Sequence, residues 1–301
     1  MTISPETGLS YLDSLKRDGF VRIPNVLSEK QLEELRAAAK RTVQLARDGK
    51  YPHIRTLFKQ FPPWGTDPSE GIWGVQHLMR PELPDHALFT KSYFDPNVRA
   101  VIKELMSTET EEVTDDDLVM EVYNMLIRPD KDFELRWHRD DVSQNATPEE
   151  EMERLNKPAW HAQWNLPLYK DRSLIVVPGS HARPRTDAER NADPFAPELP
   201  NMTVVEMNPG DVIFYNNNIL HRGVYKSDTE RMTLHGSIGH KKGGSARARN
   251  VLQHGAATWI QELDLSALPD ENEREIARKM RDRLLQMGSE HKDVGYSFKD
   301  E

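Results

Sequence analysis

The chain has 301 residues, of which 37% are hydrophobic and 30% are charged, and it contains no cysteine. A net charge of −9 argues against a surface that binds nucleic acid, and the lack of cysteine excludes disulfides and thiolate metal ligands. No apolar run reaches the roughly 18 residues of a membrane span, and the amino terminus lacks the pattern of a secretory signal, so we expect a cytoplasmic protein.

The amino-terminal segment predicts a short strand followed by an amphipathic helix. Residues 18–24 alternate between apolar and polar side chains, as a strand does. Ser28 and Gln31 have the spacing of a capping box, and apolar residues then recur with the helical period until Gly49. We expect this helix to pack on a sheet.

Residues 51–95 are rich in proline, glycine and aromatic side chains and have no regular period. They are too apolar to be disordered, so we expect them to cover another part of the protein. Two interpretations stay open, namely the wall or lid of a site and a packed irregular surface. His77 in this segment is interpreted as a structural or substrate-facing residue rather than a metal ligand.

Two regular elements follow. Pro96–Met106 predicts a short helix, and Leu118–Ile127 is so continuously apolar that it predicts a strand covered on both faces. Asn124 is the polar side chain on the more apolar side of that strand. A buried amide needs hydrogen-bond partners, so Asn124 either braces a neighbouring backbone or faces a polar ligand.

The distal half of the chain contains short strands separated by glycine and proline turns. Thr147 begins an acidic helix, and residues 160–168 then alternate, with Trp164 on one side of the strand and Gln163 and Asn165 on the other. Further strands are predicted at residues 174–177, 204–207, 211–215 and 231–237. This pattern favours a mainly β fold of the jelly-roll type, a double-stranded β-helix with flanking helices.

We expect a single domain over residues 1–301. Its jelly-roll core would span about residues 115–240, after amino-terminal helices and a lid-like segment within residues 1–114. Helices would follow at about residues 248–290, ending in a charged amphipathic helix.

Three side chains have the chemistry of a metal site. His138 and Asp140 lie two residues apart in an extended segment and therefore point to the same side. Imidazole and carboxylate together suit a divalent first-row metal, and His221 would complete a facial triad of two histidines and one carboxylate. Arg231 and Thr233 share one face of the next strand, where a guanidinium and a hydroxyl would suit a bound dicarboxylate.

Together with the opening segment and two turns, this ordered set resembles the phytanoyl-CoA dioxygenase family of iron(II)- and 2-oxoglutarate-dependent oxygenases. The likeness runs from about residue 10 to about residue 240, and it is carried mainly by residues 18–28, 174–181 and 209–223. It implies an enzyme that couples decarboxylation of 2-oxoglutarate to hydroxylation, or another C–H oxidation, of a small and fairly apolar metabolite. Relatives of this kind tailor natural products in secondary metabolism.

The resemblance also implies roles for individual residues. The family's iron ligands correspond to His138, Asp140 and His221, which would be the catalytic centre. Its cosubstrate residues correspond to Arg231, Thr233, Trp164 and Asn124. Dioxygen would be the other cosubstrate, and ascorbate would stimulate the enzyme. Residues 170–173 differ from the Asn-Gly hairpin of relatives, which affects the alignment of Trp164.

Other interpretations of the same residues stay open. The three ligands would also suit a jelly-roll zinc hydrolase or isomerase, and the scaffold would suit a non-catalytic metabolite-binding relative. We expect a neutral substrate that contacts Trp64, Trp73 and Met79. A coenzyme A thioester would instead need a cationic mouth, for which the candidates are Arg183, Arg185, Lys241 and Lys242. The sequence does not decide the oligomeric state, and a homodimer is compatible with it.

Overall fold

Short antiparallel strands build two sheets in residues 2–292, the part of the chain that the computed structural model describes. The strands are β1 (Phe20–Ile23), β2 (Ile54–Thr56), β3 (Ile72–Val75), β4 (Leu118–Ile127), β5 (Phe133–Glu134), β6 (His161–Pro167), β7 (Leu174–Val176), β8 (Thr203–Val204), β9 (Val212–Tyr215), β10 (His221–Tyr225) and β11 (Met232–His240). One sheet has the order β1-β9-β6-β11-β4-β3-β2, and the other has the order β5-β10-β7-β8. This is the double-sheet jelly roll that the sequence predicts.

Eight α-helices within residues 2–292 flank the two sheets. They are α1 (Tyr11–Asp18), α2 (Glu29–Arg47), α3 (His86–Tyr93), α4 (Pro96–Met106), α5 (Pro148–Leu155), α6 (Asp187–Asn191), α7 (Ser245–Gln253) and α8 (Glu271–Ser289). Helix α8 packs on β4, α4 on β6 and α2 on β3. The main hydrophobic core lies between these helices and the large sheet, and it includes Met120, Trp164, Phe214 and Met280.

Local sequence signals placed several elements correctly. Ser28 and Gln31 form the predicted capping box at the start of α2, with both reciprocal hydrogen bonds present. The predicted bounds of α4 and β4 match the structure, and β4 is buried on both faces along nearly its whole length. The segment of residues 204–207 is wrong as a full strand, because β8 ends at Val204 and only the bridge between Asp171 and Met207 continues the pairing.

The irregular segment of residues 51–95 adds two edge strands to the large sheet, because β2 pairs with β3 and β3 pairs with β4. Together with the loop between β2 and β3, these strands bring Phe61, Trp64 and Trp73 to the wall of a cavity that lies against the inner face of this sheet. These residues therefore support the interpretation of this segment as the wall of a site.

Candidate functional site

Two histidines are held side by side by their own backbones. The amide of His138 donates to the carbonyl of His221, and the amide of His221 donates back to the carbonyl of His138, each over 3.0 Å. The two imidazole rings consequently lie with their centres 4.3 Å apart. A single antiparallel bridge thus brings together two residues that are separated by 83 positions in the chain (221 − 138).

Both imidazoles present the same nitrogen to the same point. The Nδ1 atom of His138 lies 2.8 Å from the carbonyl of Arg136, and that of His221 lies 2.8 Å from the carbonyl of Ile219. A carbonyl can only accept, so each Nδ1 carries the proton and each Nε2 keeps its lone pair. This is the tautomer that a metal-binding histidine needs.

The carboxylate of Asp140 completes the cluster. Its Oδ1 atom lies 3.5 Å from Nε2 of His138 and 3.7 Å from Nε2 of His221. The three ligand atoms all lie within 4.8 Å of one another. Gln163 donates to the second oxygen, Oδ2, over 3.1 Å and so orients the carboxylate. Two imidazole nitrogens and one carboxylate oxygen fit iron(II) and leave the opposite face open.

Burial sets the protonation states of this cluster. It is the main factor that lowers the pKa of His138 well below its ordinary value, and the neighbouring His221 adds to the effect. Burial also raises the pKa of Asp140, an effect that His221 opposes. The imidazole of His138 is therefore neutral near pH 7 and ready to bind a cation.

Arg231 is held in the same cavity by a buried carboxylate. Its Nε atom donates to Oδ2 of Asp171 over 2.9 Å, and the hydroxyl of Thr233 donates to the same oxygen. Burial alone would raise the pKa of Asp171, but Arg231 and the hydrogen bonds from Ser173 and Thr233 outweigh it and hold that pKa below its ordinary value. The guanidinium also lies over the ring of Tyr225, 4.2 Å from its centre.

The guanidinium of Arg231 keeps one donor free. Its buried Nη1 atom has no hydrogen-bond partner among the described residues. A buried donor without a partner is costly, so this atom fits an anion that arrives with a ligand. The carboxylate of an oxo acid would pair with Arg231 in the charge-assisted way that guanidinium groups favour.

The metal cluster and Arg231 line one cavity of about 280 Å³. Other residues that line it include Asn124, Gln163, Asn165, Ser173, Tyr215 and His235. Asn124 braces a neighbouring backbone, since its Oδ1 atom accepts from the amide of His77 over 2.9 Å. Its side chain also lines the cavity, and contact with a polar ligand stays a prediction.

The assignment of Trp164 to the cosubstrate pocket is wrong. Residues on β6 alternate as the sequence predicts, but the polar side, with Gln163 and Asn165, faces the cavity. Trp164 is on the helical side of the sheet, where its ring packs 5.8 Å from Tyr93. Gly236 makes room for it, because a Cβ there would lie 2.3 Å from the indole.

Two further expectations need correction. Thr233 is on the predicted face, but its hydroxyl donates to Asp171 and the residue does not line the cavity, so it supports Arg231 rather than contacting a ligand. Met79 is buried in the main core away from the cavity, whereas Trp64 and Trp73 line it.

The four cations considered for a phosphate-binding mouth are each paired with a carboxylate. The pairs are Arg183–Glu189, Arg185–Glu151, Lys241–Asp117 and Lys242–Glu111. They therefore offer no free positive patch for the phosphates of a coenzyme A thioester.

Three residues of the site are not predicted from the sequence. Gln163 lies on the polar side of its strand, and that polarity is the signal in the sequence for its contact with Asp140. Asp171 lies in the hairpin that differs from relatives, and an unusual carboxylate there was a weak signal. Arg55, which also lines the cavity, follows no pattern that a single sequence reveals.

His77 is structural. It is 5% exposed, its backbone has φ 60°, and a Cβ on Gly255 would lie 2.5 Å from its Nε2 atom. Burial, helped by His53 and Arg80, lowers the pKa of His77 to about 3. The residue therefore stays neutral in the folded protein, whereas it titrates near pH 6.5 when the chain is unfolded.

Replacing His77 with asparagine is expected to reduce the acid sensitivity of the fold. The unfolded state takes up the proton first, so the stability associated with neutral His77 is present above about pH 6.5 and is lost as pH falls toward 3. The loss is about 3 kcal/mol by pH 4.5. Asparagine tolerates positive φ and does not titrate. Urea unfolding at pH 7 and pH 4.5 should show a smaller drop for the variant, and equal drops would contradict the assignment.

A jelly roll that brings two imidazoles and a carboxylate together beside a buried arginine defines a class, the non-haem iron oxygenases that use a 2-oxo acid. The sequence profile of the family described as phytanoyl-CoA dioxygenase (PhyH) matches residues 15–233, and the chain belongs to this family. The predicted family, enzyme class and cofactors, iron(II) and 2-oxoglutarate, are thereby confirmed. No curated protein matches the sequence.

Several solved structures have a similar fold. AviO1 from Streptomyces viridochromogenes Tue57 is 18% identical with a TM-score of 0.55, and the match covers 79% of this chain and 96% of that one. EctD from S. alaskensis, solved with 2-oxoglutarate and 5-hydroxyectoine, is 16% identical with a TM-score of 0.50, covering 80% and 78%. SnoN, an epimerase solved with Fe³⁺, alpha ketoglutarate and nogalamycin RO, is 17% identical with a TM-score of 0.50, covering 76% and 82%. Within residues 2–292, no helix is long and apolar enough to cross a membrane.

Proposed function

We propose that this enzyme oxidises a C–H bond of a small organic molecule, with iron(II) held by His138, Asp140 and His221. The observation that carries the proposal is the convergence of these three ligand atoms within 4.8 Å, with both Nε2 lone pairs directed at the same point. The scaffold would act as one oxygenase unit over residues 1–301, with the jelly roll supplying the ligands.

The chain's own residues would position the reactants. Arg231 would take the distal carboxylate of 2-oxoglutarate, and Asp171 would keep the guanidinium in place. Asn124 and Gln163 would add polar contacts at the cavity wall. When bound, iron and 2-oxoglutarate supply the oxidising chemistry, in which R–H, dioxygen and 2-oxoglutarate give R–OH, succinate and carbon dioxide.

The cavity limits the size and character of the substrate. Its volume of about 280 Å³ lies at the small end of ligand sites and must hold cosubstrate and substrate together. Phe61, Trp64 and Trp73 give one wall an aromatic surface. We therefore propose a small substrate with a largely apolar body, and hydroxylation as its outcome.

The experiment is an anaerobic titration followed by turnover. Adding iron(II) and then 2-oxoglutarate should produce a weak visible charge-transfer band, and admitting air with a metabolite library should release succinate in step with one substrate. Ascorbate should stimulate the turnover. A zinc-supported reaction that needs no 2-oxoglutarate, or metabolite binding without any turnover, would contradict the proposal.

A further inference from the structure

A second arginine reaches the same cavity from the edge of the large sheet. Arg55 on β2 faces Gly74 on β3 in the antiparallel register. A Cβ on Gly74 would lie 3.0 Å from Cδ of Arg55 and 3.2 Å from the carbonyl of Met125. The absence of a side chain at Gly74 thus lets the Arg55 side chain cross the neighbouring strand and line the cavity.

Two tryptophans hold the Arg55 guanidinium. Its central carbon lies 4.8 Å from the ring centre of Trp64 and 5.2 Å from that of Trp73. Both rings are anchored, since the indole N–H of Trp64 donates to the carbonyl of Lys59 and that of Trp73 donates to the carbonyl of Thr56. Cation–π contacts of this kind orient a guanidinium but leave its N–H donors available.

Arg55 is half-buried, and unlike the fully buried arginines it has no carboxylate partner. Within residues 2–292 it forms no ion pair, and its Nε atom has no hydrogen-bond partner. The buried arginines of the described chain all form ion pairs, namely Arg99–Glu273, Arg139–Glu151, Arg222–Glu134 and Arg231–Asp171, and the half-buried Arg247 pairs with Glu121. Buried charges are normally paired, so a positioned cation without a partner indicates a site for an anion.

The cation persists at neutral pH. Burial lowers the pKa of Arg55, to about 10, and the nearby Arg231 contributes to the shift. This value still lies well above pH 7, so the guanidinium remains charged in the enclosed site.

The cosubstrate does not account for this cation. Under the proposed function, on which this inference rests, one carboxylate of 2-oxoglutarate would bind the metal and the other would pair with Arg231. The two arginines are separated by two stacked rings: Arg55 lies over Trp73 and Arg231 lies over Tyr225, and the ring centres are 5.7 Å apart. Arg55 therefore offers a second anion site in the same cavity.

We propose that Arg55 binds an anionic group of the substrate, so that the substrate is a small organic acid rather than a neutral metabolite. A carboxylate matches the planar fork of the guanidinium, with two parallel hydrogen bonds. The apolar body of the acid would lie along Trp64 and Trp73, with Leu126 and Leu135 beside them in the same apolar cluster.

The test compares acids with their neutral counterparts on the holoenzyme. Straight-chain and phenyl-substituted monocarboxylic acids, their methyl esters and the matching phosphate monoesters are titrated onto protein that carries iron(II) and 2-oxoglutarate. Binding is followed by tryptophan fluorescence and by stimulated succinate release. We expect at least one acid to bind about 10- to 100-fold more tightly than its ester.

Variants of Arg55 test whether this residue causes the preference for acids over esters. Arg55→Gln should abolish the preference for acid over ester, and Arg55→Lys, which keeps the charge but not the fork, should retain part of it. Neither change should alter the KM for 2-oxoglutarate or the charge-transfer band. The control is Arg36→Gln, which removes a cation that also lies over an aromatic ring, Tyr169, but outside the cavity.

Several results would overturn this inference. If Arg55→Gln raises the KM for 2-oxoglutarate or weakens the band, Arg55 belongs to the cosubstrate site. If a wild-type holoenzyme that forms the band binds no acid of the panel more tightly than its ester, the anion site is wrong, and this comparison needs no variant. Tighter binding of the phosphate monoesters would overturn the assignment of a carboxylate. Absence of the band in the wild type would instead contradict the proposed function itself.

Discussion

Replacing Asp140 with alanine is expected to lower 2-oxoglutarate-dependent succinate release by about 10³-fold or more. Asp140 is the negatively charged member of the cluster, and its Oδ1 atom faces both histidine Nε2 atoms. Without it, the two imidazoles would have to hold the cation alone. The measurement is the affinity for iron(II) under anaerobic conditions together with initial rates at saturating iron.

The neighbouring carboxylate provides a matched control. Asp141 is adjacent in sequence, but its side chain contacts Arg154 and Asn217 instead of the histidines. Asp141→Ala should therefore lower stability while the iron affinity of the folded protein stays close to that of the wild type. If Asp141→Ala loses iron as completely as Asp140→Ala does, the loss reflects general disruption of the loop, and the ligand assignment fails.

Replacing Arg231 with methionine is expected to raise the KM for 2-oxoglutarate by about 10²-fold or more, because removing one partner of a buried charge pair costs about 2–5 kcal/mol. The same change leaves Asp171 buried without its cation, so stability should fall as well. The two effects must be separated before the KM can be assigned to a lost contact with the cosubstrate.

A double variant separates them. Arg231→Met with Asp171→Asn removes both charges, so no uncompensated carboxylate remains, and much of the stability should return. The affinity for 2-oxoglutarate should stay low, because the guanidinium is still missing. Thermal unfolding and titration of the charge-transfer band on the same preparations test both statements. Recovery of cosubstrate binding in the double variant would show that Arg231 acts only as a structural partner of Asp171.

The unpaired cation at Arg55 changes the expected substrate. In the sequence alone, the aromatic residues Trp64 and Trp73 favour a neutral, apolar ligand. In the fold both rings contact the Arg55 guanidinium, so the same residues would form an apolar wall and position the proposed anion site. Composition could not reveal this, because Arg55 and Trp73 are neighbours only through strand pairing.

The sequence by itself determined the fold class and which side chains meet at the centre. The His-x-Asp spacing puts two ligands on one side of an extended segment through local backbone geometry. His221 is predicted as the third ligand from the ordered set of motifs and the family resemblance, because no local pattern pairs residues that far apart. Asn124 could be placed on a strand through local geometry, with both of its roles left open. Local periodicity carries this information without knowledge of the partners.

Only the tertiary structure decided which face of each strand lines the cavity and which distant residues complete the site. The alternation of side chains along a strand puts Trp164 and Gln163 on opposite faces. It does not say which of them faces the cavity, because that depends on where the helices pack. Asp171 and Arg55 reach the site from a hairpin and from an edge strand, and the order of strands in the sheets sets their positions. That order is fixed by contacts between residues far apart in the chain, which no local pattern contains.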